Sequence, residues 1–312
     1  MRGLELSERF YLEYGEPMLK ERFAHLLPLI AVGLVGGGSE CLGYDDETSQ
    51  DHDFEAGFCI FLPDEARVDR RAEFDLERAY ASLPREFMGY RRSILSPVGG
   101  NRHGVMRTAQ FFEGKTGTPD GKLSLRDWFF LPEQSLLEAT DGKIFYDVLG
   151  EVSEIRARLS YMPEDVRLKK LAGNLLIMGQ AGQYNYLRCI SRGESAAAQL
   201  AAVEFAKAAL NAVFLLNKKY TPYYKWTFRA LRGMSILSEL YEALEYLISS
   251  GNSKEASKKQ TLIEDVCARI ISEVKAQGLS DACGEDAERH AYAVNDKISD
   301  GNVRNLHILY AV

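Results

Sequence analysis

The chain has 312 residues, a net charge of −7, and 46% hydrophobic against 27% charged residues. That length accommodates two cores and the composition is that of an ordinary globular protein, while the acidic balance excludes a strong nucleic-acid binder, which needs a pronounced basic face. No apolar run approaches the roughly 18–20 residues of a membrane span, the N-terminus lacks a signal-peptide core, and five scattered cysteines without C-x-x-C spacing exclude a disulfide framework or zinc site. A cytoplasmic location without membrane contact is the expectation.

Residues 7–29 have helical periodicity, which Pro17 is expected to divide or kink. Residues 31–35 form the first expected strand and enter the turn Gly36-Gly37-Gly38. Residues 54–62 contain the second strand, 74–83 a short helix, 87–95 a strand and 104–112 another strand. Short helices follow near 124–139, then the segment Ile144-Phe145-Tyr146. Helix and strand mix throughout this half, as in a small α/β domain.

From about residue 150 only helical patterns remain. Residues 171–190, 195–216 and 225–249 show apolar recurrence at three and four residues, with shorter helices at 259–276 and 284–297. The expected architecture is α+β: residues 1–150 as a mixed-sheet domain and 151–312 as an antiparallel helical bundle. Charge divides along the same line. Residues 1–150 carry 17 Lys and Arg against 26 Asp and Glu, and residues 151–312 carry 21 against 19. An acidic half beside a mildly basic one suits a cleft that holds Mg²⁺ and a polyphosphate. Helical bundles of this kind also permit pairing as a homodimer.

The segment GGGSECLGYDDETSQDHDFEAGFCIFL, residues 36–62, concentrates the chemistry. Gly38 and Ser39 let backbone amides and a hydroxyl approach a phosphate. After a gap of eleven residues stand Asp51 and Asp53. On a strand, side chains at i and i+2 leave one face, so two carboxylates converge on one divalent cation. Magnesium combines such carboxylates with substrate phosphates. An Asp-x-Asp pair alone is common in acidic loops, and the signal lies in its spacing from the Gly-Ser turn. His52 points to the opposite face and reads as structural. Glu55 continues the alternation, and Asp45-Asp46-Glu47 read as a solvated loop. In the helical half, Asn217–Trp226 gathers lysines and aromatics, and Lys225 is the preferred triphosphate contact.

On these residues the chain resembles the nucleotidyltransferase superfamily that includes DNA polymerase beta and kanamycin nucleotidyltransferase. More closely, GSECLGYDDETSQDHDFEAGF resembles a bacterial group of nucleotidyltransferase-like proteins with a GSxxLGxDDExSxDHD signature and a helical C-terminal half. Residues 131–147 and 215–226 fit that group as well. The resemblance implies Mg²⁺ held by Asp51 and Asp53, with Gly38 and Ser39 against the phosphates of ATP or another nucleoside triphosphate. The implied reaction is transfer of a nucleoside monophosphate, AMP from ATP, to a hydroxyl of a small molecule or protein. The resemblance also implies a third carboxylate on a later strand. Residues 103–112 contain no Asp or Glu, so Glu113, Glu194 or Glu204 replaces it, or the chain is a catalytically degenerate nucleotide-binding or regulatory protein of the same fold. A catalytic module fused to a helical antitoxin-like module ranks last. The acceptor, the nucleotide preference and the oligomeric state are not legible.

Overall fold

Short runs of Val, Ile, Leu and Phe build one four-stranded sheet, and amphipathic helices cover it. The computed structural model describes residues 1–48, 54–92, 102–252, 254–310 and 312. It divides into two units. The first is Met1–Ser124 with Gln134–Ser160, and the second is Leu125–Glu133 with Tyr161–Val312.

The first unit opens with α1 (Gly3–Phe10), a π turn (Tyr11–Gly15) and α2 (Glu16–Arg22). Leu6, Phe10, Met18 and Leu19 are buried along one face. Pro17 lies in the first turn of α2. There its missing amide is tolerated, and the widened turn before it relieves the ring's clash with the preceding carbonyl. The helix is re-pitched rather than divided.

The chain continues through β1 (Ala31–Leu34), α3 (Ser39–Leu42), β2 (Cys59–Leu62) and α4 (Arg70–Ala81). Asp69 caps α4 by accepting from the Ala72 amide at 2.8 Å. A tight hairpin, β3 (Glu86–Phe87) with β4 (Tyr90–Arg91), stands where a strand over 87–95 was expected. Then come β5 (Gly104–Arg107) and α5 (Thr108–Thr116). The expected strand over 104–112 is therefore corrected: it stops at Arg107. Thr108, Phe112 and Thr116 are buried at four-residue intervals, and Gly117 ends the helix in the left-handed conformation.

After α6 (Leu125–Phe130), which belongs to the second unit, come α7 (Glu133–Thr140), β6 (Lys143–Asp147) and α8 (Glu151–Arg158). The Ser153 amide and hydroxyl both donate to Asp147, at 2.8 and 2.7 Å. Arg156 donates to Thr140 O at 2.5 Å. These bonds carry the first unit past residue 150 to Ser160.

The sheet order is β5-β2-β1-β6. β1 is antiparallel to β2 and β6, and β2 is parallel to β5. Val32, Ile60 and Leu62 meet Leu6, Phe10, Phe58, Leu76 and Tyr80 in a single core. The fold is α+β, with a small mixed sheet followed by a helical unit.

In the second unit α9 (Glu164–Ile177) passes through a nine-residue π segment (Met178–Tyr186) into α10 (Leu187–Ser191). Beside it runs α11 (Ser195–Leu216), which buries Ala198, Ala202, Phe205, Ala209 and Val213. By length and composition α11 alone among the described residues could cross a membrane, a correction to the sequence reading, and 61% of its apolar window is buried. The remaining helices are α12 (Tyr224–Arg232), α13 (Tyr241–Ser249), α14 (Ala256–Ala276), α15 (Ala287–Asp296) and α16 (Gly301–Asn305). The single helix expected over 225–249 is interrupted after Arg232, where Leu237 adopts φ +62°.

Candidate functional site

The strand register gathers four chain segments on one edge of the sheet. Gly33 pairs with Cys59, Cys59 with Gly104, and Leu34 with Lys143. The exit of β1 and the entries of β2, β5 and β6 therefore share that edge. Gly36–Gly38 follow β1, residues 54–58 precede β2, Arg102 and His103 precede β5, and α7 precedes β6. Loops at strand ends carry function because a rigid sheet holds them.

Gly38 adopts φ +131°, a conformation open to glycine and strained for side chains. A Cβ there would stand 2.1 Å from Arg102 Nη2 and 2.7 Å from Glu40 Oε2. Arg102 and Glu40 form an ion pair, with side chains 33% and 7% exposed. Arg102 Nη2 also donates to Gly37 O at 2.8 Å. Its guanidinium thus lies directly over the turn.

Glu138 of α7 approaches from the other side. Its carboxyl carbon is 3.3 Å from the position a Cβ on Gly37 would take. Lys115 Nζ donates to Glu138 Oε2 at 2.5 Å, and Gln134 Nε2 donates to Oε1 at 3.0 Å. Burial pushes the Glu138 pKa up, but these two bonds and the charges of Lys115 and Arg102 outweigh it and hold the carboxyl below its ordinary value. A third pair completes the edge: His103 Nδ1 lies 2.9 Å from Glu55 Oε1, with the imidazole buried. The thiols nearby are inert. Burial pushes Cys59 up to about 12 and Cys41 higher still.

Of the residues singled out in the sequence, Gly38 and Ser39 stand at this turn, and Glu55 lies two residues before Gly57 on the same edge. Asp51, His52 and Asp53 lie outside the described residues. Among the described residues no cluster of three or more His, Cys, Asp or Glu side chains is arranged to hold a metal, so the Mg²⁺ expectation rests on Asp51 and Asp53. Asp45 is no free loop acid, because it accepts from the Gly3 amide at 2.8 Å and caps α1. Glu113 is exposed on α5, Glu194 is exposed beside the first turn of α11, and Glu204 is exposed beside Lys207. Lys225, in the second unit, is exposed with Nζ 5.1 Å from the centroid of the Trp226 ring. The residues that sequence reasoning missed are Arg102, Glu40, Lys115 and Glu138. Glu40 and Glu138 had a signal, since they lie within the 38–58 and 131–147 stretches that carried the resemblance.

Residues 128–227 match a family described as a domain of unknown function, DUF4037. That stretch includes Glu138 and Lys225. No curated protein matches the chain. Among solved structures, the chain is similar to a nucleotidyltransferase-like protein from Exiguobacterium sibiricum. The identity is 10% and the TM-score 0.38, over 92% of this chain and 81% of that one.

Proposed function

We propose that the chain is a Mg²⁺-dependent nucleotidyltransferase. It moves a nucleoside monophosphate, AMP from ATP, to a hydroxyl of a small molecule or protein. The observation that supports this reading is the convergence, on one sheet edge, of the Gly36–Gly38 turn, the segment entering β2, and the cation Arg102. In sequence, Asp51 and Asp53 stand immediately before that segment.

In the proposed reaction the acceptor oxygen bonds to the α-phosphorus, and the bond to the β-phosphate's bridging oxygen breaks. Pyrophosphate departs, and the hydroxyl proton passes to a carboxylate. Asp51 and Asp53 would hold Mg²⁺, which neutralises charge developing on the phosphates. Gly38 and Ser39 would position the phosphate chain, with Lys225 as a further phosphate contact. Glu138, whose carboxyl lies beside Gly37, would replace the carboxylate that β5 lacks.

A second reading is a nucleotide-binding or regulatory protein without turnover. It is favoured by the absence of an acid on β5 and by the ion pairing of Glu40 and Glu138. Calorimetric titration with each nucleoside triphosphate, with and without Mg²⁺, tests both. The transferase reading expects Mg²⁺-dependent binding that disappears in a Asp51→Asn/Asp53→Asn double variant, with pyrophosphate released once an acceptor is supplied. Binding without pyrophosphate release against any acceptor selects the second reading.

A further inference from the structure

Arg102 is the guanidinium on the described edge, and it already holds an anion. Glu40 follows the turn at the second residue of α3, and its side chain is 7% exposed, while the Arg102 side chain is 33% exposed. The pair fills the volume that a side chain on Gly38 would occupy. To a guanidinium, a carboxylate and a phosphate present the same pair of acceptor oxygens. A phosphate that reaches the turn meets a guanidinium pinned to Gly37 O and neutralised by an acid from the same loop. The α3 helix is a single turn, so the side-chain cation, rather than the helix end, is what the anion must reach.

We propose that Glu40 is an internal stand-in for the ligand's phosphate. It holds Arg102 in place over the turn, and the phosphate chain of a nucleotide must displace or share that contact to bind. The inference rests on the reading above that this edge receives nucleotide phosphates. The arrangement has two consequences. The guanidinium is preorganised, because Gly37 O and Glu40 fix it before the ligand arrives. Affinity for a polyphosphate is also held down, because the incoming charge meets both an occupied cation and a buried negative carboxylate.

The test is calorimetric titration of the full chain with tripolyphosphate and with ATP, first without divalent ions. The variants are E40Q, R102Q and E40Q/R102Q, with E86Q as a control that removes an exposed acid of the same unit. E40Q is expected to bind both ligands about tenfold tighter than the wild type, the scale of one charge-assisted contact. R102Q in the same background is expected to abolish the gain, and E86Q to behave as the wild type. If E40Q loses its melting transition, E40D takes its place. It keeps the charge but draws the carboxylate back by one methylene, and a smaller gain of the same sign is expected. No gain in variants that melt like the wild type overturns the proposal, as does a gain that survives R102Q or one confined to ATP.

Repeating the titrations with Mg²⁺ separates this inference from the reading beneath it. Wild-type ATP binding that depends on Mg²⁺, Asp51 and Asp53 but is indifferent to Glu40 leaves the nucleotidyltransferase reading standing and removes the stand-in. Absence of binding in every chain, with or without Mg²⁺, removes both.

Discussion

On the sheet edge of the first unit three bases meet acids, Arg102 with Glu40, Lys115 with Glu138, and His103 with Glu55, while away from it Arg92 and Arg156 donate to backbone carbonyls. In the second unit Arg167 and Lys170 pair with Glu164 and Glu133, but two fully buried lysines meet neutral oxygens. Lys169 Nζ donates to Asn295 Oδ1 at 2.7 Å, Arg304 O at 3.1 Å and Leu306 O at 2.6 Å. Lys259 Nζ donates to Gln199 Oε1 at 2.7 Å and Ser250 O at 2.5 Å. Carbonyls at helix ends cannot move without unwinding the backbone, so such a cation ties segments together. A carboxylate on a flexible stem can swing aside or exchange its partner for a phosphate. Between the sheet-edge bases and these two lysines, partner type separates groups that can serve a ligand from cations that hold the architecture.

The sharpest way to break this contrast is Lys169→Met. The apolar stem is conserved in volume, but two carbonyls and an amide oxygen lose their donor in a buried setting. Stability of the helical unit is expected to fall by about 3–4 kcal/mol, read as an earlier loss of helical signal in urea. Anion affinity per folded molecule should be unchanged. A stable Lys169→Met chain that no longer binds ATP would place this lysine among the ligand contacts and dissolve the distinction.

Gly38→Ala comes next and acts on the other side of the contrast. The atoms that a Cβ would meet, Arg102 Nη2 and Glu40 Oε2, are the ends of long side chains and can yield. The backbone at φ +131° cannot, and the strain is expected to cost about 1–3 kcal/mol. Because the displaced atoms are those of the Arg102–Glu40 pair, polyphosphate binding should also fall sharply. Chemical denaturation and tripolyphosphate titration of the one variant report both effects.

How much of this was legible in the sequence follows from the range of the interactions. The glycine turn, β1 and β2 and the long helix α11 depend on neighbours in sequence, and their residues announce them, whereas the helix expected from residue 74 starts at Arg70 behind the Asp69 cap. The strand expected over 104–112 failed because a short apolar run such as Phe111-Phe112 fits either period. Arg102 and Glu40 are 62 residues apart, and only the order β5-β2-β1-β6 brings them together. Glu138 reaches Gly37 for the same reason, from a helix the sequence offered as an ordinary amphipathic segment. Sequence pattern marks the turn but not the charges that strand order delivers to it.

A smaller effect sharpens the comparison within the first unit. Glu138 is ionised more readily in the folded chain than its ordinary value of 4.5. With the folded pKa lowered, its stabilising contribution is fully present above pH 4.5 and is lost as pH falls through the folded value. Glu138→Gln should therefore be less stable than the wild type near pH 6, with the difference narrowing as the buffer is taken below pH 4.5. Urea midpoints at pH 6 and pH 3.5 measure it. A difference that is unchanged between the two buffers would mean that Glu138 contributes through packing rather than through its charge.

The smallest stability effect is expected at Lys225. Its ammonium is exposed above the edge or face of Trp226 rather than bound in the core, and an exposed contact of this kind is worth about 0.5 kcal/mol. Lys225→Ala should accordingly shift the urea midpoint very little. By the same contrast, a lysine held so lightly loses little when it turns to a phosphate, so ATP affinity in Lys225→Ala is expected to fall by about threefold to tenfold, the scale of one charged contact. The two readings have opposite signatures in a single preparation. A variant with wild-type stability and weakened ATP binding behaves as a ligand contact, and one with wild-type stability and wild-type binding is a surface lysine. In the second case the proposed phosphate contacts reduce to those of the glycine turn and Arg102.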